Sequence, residues 1–434
     1  MSIPTLALSW LEQEARALLT RLERVRSFAL TETMVPAAAI SPAAQRAIEI
    51  YLGRAKRVLR TQILEFIDSL HHQTFAVSLA QQQFTMLRLR FNAVLTQLDI
   101  FVDAISQRAE AQNGVWLAGL DAAASDALNL EPDVIAPPLI CYLDRGHGAA
   151  IRRARTRLPG GGENPVAIVR VPRERMVGSG IASSLVHEVG HQAAALLGLI
   201  PSVTTVLQAM TPQDPFEASV WKCWERWISE VLADFWSVAK LGITSSLGLM
   251  AVVSLPRYFV FRVSLNDPHP TPWIRVKLSC AIGQRLYPHP QWERLAQMWE
   301  EMYPVNGLPE SQKIWLQQLE QQLPILADVL AQQQPSALKG KALTDVLEVQ
   351  KRQPARLQKI FIHLKLEQLQ DLPPTLAFAL LGQARWDAQI SPEQESQWVS
   401  RLLTHWALRR ALEQPCNIRT ERNSLWSILP SKQM

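Results

Sequence analysis

The run His187-Glu188-Val189-Gly190-His191 contains an HExxH. Residues four apart lie one turn along the same helix face, so two imidazoles converge there and can share a metal ion. Glu188, beside the first histidine, reaches a water at that point as a general base. A metal that performs chemistry needs three protein donors and an open position. The next helical segment supplies the third donor in Glu230. Asp234, one turn further on, can hold the second ring nitrogen of a ligating histidine. Trp221, Trp224, Trp227, Leu232, Phe235 and Trp236 surround this pair, and two carboxylates in so apolar a setting need a counter-charge, which a metal supplies. The tryptophans themselves read as core packing. Ala194 and Leu197 stand where metzincins carry Gly and His, which excludes that class. The expected cofactor is one Zn2+ per chain, held by His187, His191 and Glu230.

A third element follows in Asp267-Pro268-His269-Pro270, with Arg275 six residues after the histidine. HExxH, then ExxAD, then HP with a following Arg is the motif order of gluzincin peptidases of the CAAX prenyl protease and HtpX type, and the chain resembles that group over about residues 135 to 280. His187, Glu188, Gly190 and His191 match the first motif, Glu230, Ala233 and Asp234 the second, and His269, Pro270 and Arg275 the third. The resemblance implies peptide-bond hydrolysis, with Glu188 as general base. It implies that His269 lies near the metal, as an oxyanion stabiliser or a switchable ligand, and that Arg275 braces the acidic groups. It also implies a β-element, around the Leu158-Pro159-Gly160-Gly161 turn, whose edge strand pairs with an extended substrate. The group's transmembrane helices have no counterpart here, so membrane substrates do not carry over. His289, in a second His-Pro, lacks the following Arg and reads as structural. His71, His72, His147, His363 and His405 have no motif context.

The elements that must position these residues can be read from periodicity. Leu8, Leu11, Ala15, Leu18, Leu19, Leu22 and Val25 recur at helical spacing, and Ser41 before Pro42 is an N-cap signal. Further helices are expected to about His71 and from about Ser78 to Glu110, giving a helical bundle over 1–115. Leu139 to Leu143 and Val166 to Val171 are short β-branched runs bounded by Pro, Gly and Asp, and read as strands. Gly180 to Leu199 and Pro215 to Leu241 read as helices. Residues 309–434 are again helical, rich in Gln and Leu. The fold class expected is mainly α with a small β-element (α+β), a zincin-like metallopeptidase core at 135–305 between helical flanks.

Composition narrows the function classes. The chain has 434 residues, 48% of them hydrophobic and 19% charged, which is neither disordered nor supercharged. A chain this long builds its core without metal or disulfides, so a bound metal serves chemistry. Its four cysteines are dispersed, with no CxxC, which excludes a disulfide scaffold and a zinc finger and points to a cytoplasmic setting. With 44 basic against 39 acidic residues there is no nucleic-acid signature. The longest apolar stretch, Leu241 to Phe261, is interrupted by polar residues and Pro256, short of a membrane span. Eight Arg between Asp144 and Gly178 face Asp144, Glu163 and Glu174, a local excess of 8 − 3 = +5. That segment is a solvated loop or a basic rim for an acidic partner. The leading expectation is a peptidase acting on protein or peptide substrates, with the flanks as surface for a protein partner. The alternative is a mainly helical interaction protein with a zinc-bound but latent core.

Overall fold

The periodic apolar positions of the first hundred residues fold as expected. In the computed structural model, which describes residues 3–72, 76–130, 132–145, 149–158, 162–173, 178–210, 214–264 and 267–426, helices α1 (Ile3–Glu23), α2 (Phe28–Thr31), α3 (Pro42–His72) and α4 (Val77–Ser106) form a bundle. Leu11, Ala15, Leu18 and Leu22 of α1 are buried against Ile48, Leu52, Leu59 and Ile63 of α3 and Phe84, Phe91 and Phe101 of α4. Ser41 Oγ accepts from the Ala44 backbone N–H at 3.2 Å, as its N-cap position requires.

Helix α5 (Ala111–Ala127) leads into five short strands, β1 (Leu139–Asp144), β2 (Ala150–Arg152), β3 (Arg157–Leu158), β4 (Gly162–Glu163) and β5 (Ala167–Pro172). β5 is central in a three-stranded sheet, parallel to β1 and antiparallel to β2, while β3 and β4 pair separately. Side chains alternate across the sheet. Ile140 and Ile168 enter the bundle core, whereas Cys141, Leu143, Val169 and Val171 face the helices that follow. Burial on both faces explains why β1 and β5 read as unbroken apolar runs. The Pro159 to Gly161 turn and His147 lie outside the described residues. So do Glu174 and Arg175, and of the remaining arginines Arg152 donates to Gln97 of α4 at 2.6 Å, on the bundle side.

The remaining helices are α6 (Gly180–Leu196), α7 (Leu199–Ala209), α8 (Pro215–Leu241), α9 (Ile243–Val253), α10 (Arg257–Val260), α11 (Pro272–Leu286), α12 (Gln291–Met302), α13 (Glu310–Ala331), α14 (Leu343–Val346), α15 (Pro354–His363), α16 (Leu366–Leu369), α17 (Pro374–Trp386) and α18 (Pro392–Trp426). The helix expected to reach Leu199 stops at Leu196, because Gly198 adopts φ +62 and starts α7 at a 79° bend. No single described helix is long and apolar enough to cross a membrane. Helix accounts for 74% of residues and strand for 5%, so the chain is mainly α with a small sheet. One continuous apolar cluster runs from Leu117 to Trp406 and joins the middle of the chain to its C-terminal helices.

Two polar devices fasten these layers. Arg108 and Asp121, both fully buried, form a bidentate pair at 2.9 and 3.2 Å. Arg108 also donates to the Cys141 carbonyl, and Asp121 accepts from the Cys141 N–H at 2.7 Å. Gln107 spans Leu143 in the same way, donating to its carbonyl and accepting from its N–H, each at 2.8 Å. The outer edge of β1 is thereby closed by side chains. At the other end, Ser179 Oγ, just before α6, donates to Glu395 in the first turn of α18.

Lys240, near the end of α8, is only 4% exposed. Burial, with the nearby Arg352 cation, pushes its amine down to about 8. Between about pH 8 and 10.5 the unfolded chain keeps a proton that the folded chain has released, so stability rises with pH across that window. Below pH 8 the full penalty, on the order of 3 kcal/mol from a shift of this size, remains. Lys240→Met is expected to raise the urea midpoint at pH 7 and to flatten that rise between pH 8 and 10.5. An unchanged pH profile would contradict the assignment.

Candidate metal centre

Close approach of α6 and α8 builds the site. A Cβ on Gly190 would lie 2.9 Å from the Ala233 Cα and 3.0 Å from its carbonyl oxygen. Glycine at 190 is what lets the two helices meet at this depth, which gives the Gly of the first motif a physical role. Trp224 and Trp236 are fully buried on α8, their indole N–H groups donating to Gln322 at 2.9 Å and to the Ala127 carbonyl at 3.0 Å. They are core side chains.

This contact brings His187, His191 and Glu230 together, with one donor atom from each inside a common sphere of 4.8 Å separation. His187 Nε2 is 3.2 Å from Glu230 Oε2, and His191 Nε2 is 3.5 Å from Glu230 Oε1. Donor atoms this close can reach a single metal ion placed between them. The outer nitrogens are also held: His187 Nδ1 faces Asp234 Oδ1 at 2.8 Å, and His191 Nδ1 faces Ser229 Oγ at 3.2 Å. Such partners fix ring orientation and leave Nε2 aimed inward. The three residues could therefore hold a metal ion.

Arg275 enters from α11. Its Nε and Nη2 donate to the two oxygens of Asp234 at 2.7 and 2.8 Å, so Asp234 is shared between Arg275 and His187. Burial opposes the Asp234 charge, but Arg275 and His187 together hold the carboxyl well below the usual range. Burial likewise opposes the charge on Glu230, and hydrogen bonds from His187, His191 and His269 keep it ionised. For His187, burial is outweighed by the Asp234 carboxylate and by bonds to Asp234 and Glu230, which raise the imidazolium to about 9.

No family model, curated protein or solved structure matches this chain.

His269, in the loop before α11, is 45% exposed, and its Nε2 is 3.1 Å from Glu230 Oε2. Asp267 orients it, accepting from the His269 backbone N–H at 3.0 Å and facing Nδ1 at 2.8 Å. Glu188 is buried and borders a cavity of about 120 Å3, together with His187, His269 and Arg275. Among the described residues no hydrogen bond engages the Glu188 carboxylate, so it is free to act on a ligand. All seven residues singled out by motif thus gather at one place. Ser229 and Asp267 were not anticipated. Their only signal is adjacency, one residue before Glu230 and two before His269. His289 instead takes the Gln291 N–H at 3.3 Å on Nδ1 at the start of α12, and His71 and His72 pair with Glu12 and Asp68 in the bundle.

Proposed function

We propose that the chain is a zinc-dependent peptidase of gluzincin type, with a zincin-like core at about 135–305. The observation that carries this reading is the convergence of His187, His191 and Glu230 beside an uncommitted, buried Glu188. A closed structural metal site has no use for that second, unliganded carboxylate. Zinc bound there would supply a Lewis acid and bring the pKa of a water toward ~7.

The roles of the chain's own groups follow. Glu188 takes the proton of the attacking water and passes it to the leaving amine. His269 donates from Nε2 to the developing oxyanion, held in orientation by Asp267. Asp234 keeps a proton on His187 Nδ1, and Arg275 keeps Asp234 ionised. β2 is an edge strand of the sheet, and Ala149, just before it, borders the same cavity as Glu188. An extended peptide added along that edge would present its backbone to Glu188. The substrate class is therefore protein or peptide, with no nucleic acid. A cytoplasmic setting is part of the reading, supported by free Cys141, Cys223 and Cys280.

A second reading rests on His269. Its Nε2 reaches the same Glu230 oxygen as His187, so it is within range to close the site and leave a latent core in a helical interaction protein. One assay separates the two. Purified protein is expected to carry about one zinc per chain, and Glu230→Gln to lose it, as measured by elemental analysis. Metal-loaded protein that hydrolyses peptides supports the enzyme. Hydrolysis that begins only with His269→Ala supports latency. Full metal content in Glu230→Gln would overturn the ligand set.

A further inference from the structure

The net charge of the chain is not spread evenly. Between Arg16 and Arg60, nine basic residues stand against Glu23, Glu32 and Glu49, a local excess of 9 − 3 = +6. Helices α1 and α3 carry most of it, and no residue of their bundle lines the Glu188 cavity. Along α3, Arg46, Arg54 and Arg57 recur at helical spacing with the exposed Ile50 and Leu64, opposite the buried Ile48, Ala55 and Leu59. Arg60 flanks this row, and Arg21, Arg24 and Arg26 crowd the end of α1. All seven arginines are exposed, and among the described residues none joins an ion pair or a hydrogen bond. Arg16, one turn earlier, is paired with Glu12 in the ordinary i, i+4 way. Beyond it the cations lack such partners, and their summed field draws an anionic ligand.

A groove of about 430 Å3 lies beside this row, between α1 and α3. Leu19, Leu22 and Leu52 give it an apolar wall, and Lys56, Arg57 and Arg60 a cationic margin. Lys56 donates to the Val25 carbonyl and so ties α3 to the end of α1. Gly53 also lines the groove, and a Cβ there would meet nothing within 4 Å. Glycine is among the poorest residues for a helix interior, and no neighbour in this chain needs the room. The space is open to a group from outside. We infer that this face docks an acidic amphipathic helix of a partner protein, with one aliphatic side chain seated in the groove and carboxylates on the arginine row. Pitch selects this occupant. The arginines are set by helical turns of about 5.4 Å, and carboxylates three and four apart on a second helix share that interval. The phosphates of a nucleic acid or a lipid layer are not held to it. A groove between two helices also takes a projecting side chain, which a helix partner supplies and a flat layer of headgroups does not. The inference stands apart from the peptidase reading.

The test measures binding to the full chain by fluorescence anisotropy. The probe is a labelled synthetic helical peptide with Glu at one-turn intervals and a single central Leu. Saturable binding that weakens as salt is added is expected. Arg54→Glu combined with Arg57→Glu is expected to lower the affinity by about tenfold or more, because like charges then face each other. Gly53→Leu fills the groove, and is expected to lower affinity for the leucine peptide while sparing that for a version with Ser in its place. The same variant is expected to keep or raise the urea midpoint, since leucine is a better helix former than glycine, so its loss of binding cannot be ascribed to unfolding. Should the arginine reversal disturb the fold, as judged by circular dichroism, Gly53→Leu still decides. No saturable binding of the peptide, or binding indifferent to both variants, overturns the inference. So does equally tight binding of phosphatidylserine vesicles or of a single-stranded DNA oligonucleotide, which would make the face a general polyanion surface.

Discussion

Glu188→Gln is expected to keep its metal and lower peptide hydrolysis by about a hundred- to ten-thousand-fold, the range a positioned general base supplies. Glutamine has nearly the volume of glutamate, so the packing of α6 against α8 is undisturbed. It cannot accept a proton from water. In the proposed centre the donors are His187, His191 and Glu230, and the outer partners Asp234 and Ser229 stay in place, so zinc content is expected to match the unsubstituted chain. The loss is expected in kcat with KM little changed, because the group acts on a proton that moves only in the transition state. Arg275, which lines the same cavity, is already paired with Asp234, so removing the Glu188 charge does not strand it. Wild-type turnover in Glu188→Gln would refute the mechanism, whatever the metal content.

Arg108→Met is expected to destabilise the chain by about 3–5 kcal/mol, the cost of leaving half of a buried ion pair unpaired. Asp121 would keep the Cys141 N–H, and Arg410, 3.7 Å away at 23% exposure, is too distant to replace a bidentate partner. The Cys141 carbonyl would lose its donor as well. In the double variant Arg108→Met with Asp121→Leu the charges go together, and most of the loss is expected to return. Urea midpoints of the two singles and the double close a cycle whose coupling reports the pair. Additive effects would mean that the two side chains act independently. Because both hold Cys141 of β1, the single variants are also expected to loosen the sheet whose free edge, β2, lies by the Glu188 cavity.

Much of the site was legible because its spacing is local. His187 and His191 share one helical face by counting alone, and Glu230 and Asp234 repeat the same interval on the next helix. Arg275 and His269 came only with the resemblance, since nothing in a proline-rich loop fixes its path. Ser229 and Asp267 escaped notice because their roles depend on which side of a neighbour they fall. β2 is three residues long, begins with Ala and ends with Arg, and offers no period to read. The break at Gly198 was hidden in a continuous apolar run. The shared core of the middle and C-terminal helices left no mark either, since the change to Gln-rich helices near residue 309 describes their surface and not their buried faces.

The bond between Ser179 and Glu395 spans 216 residues of sequence and sets an order of events during synthesis. At about 5–20 residues per second, Glu395 is made about 10–40 s after Ser179. Through most of that interval the growing chain contains His187, Glu188, His191 and Glu230, while α6 lacks its contact with α18. The contact between the start of α6 and α18 therefore forms only after the C-terminal helices have been made.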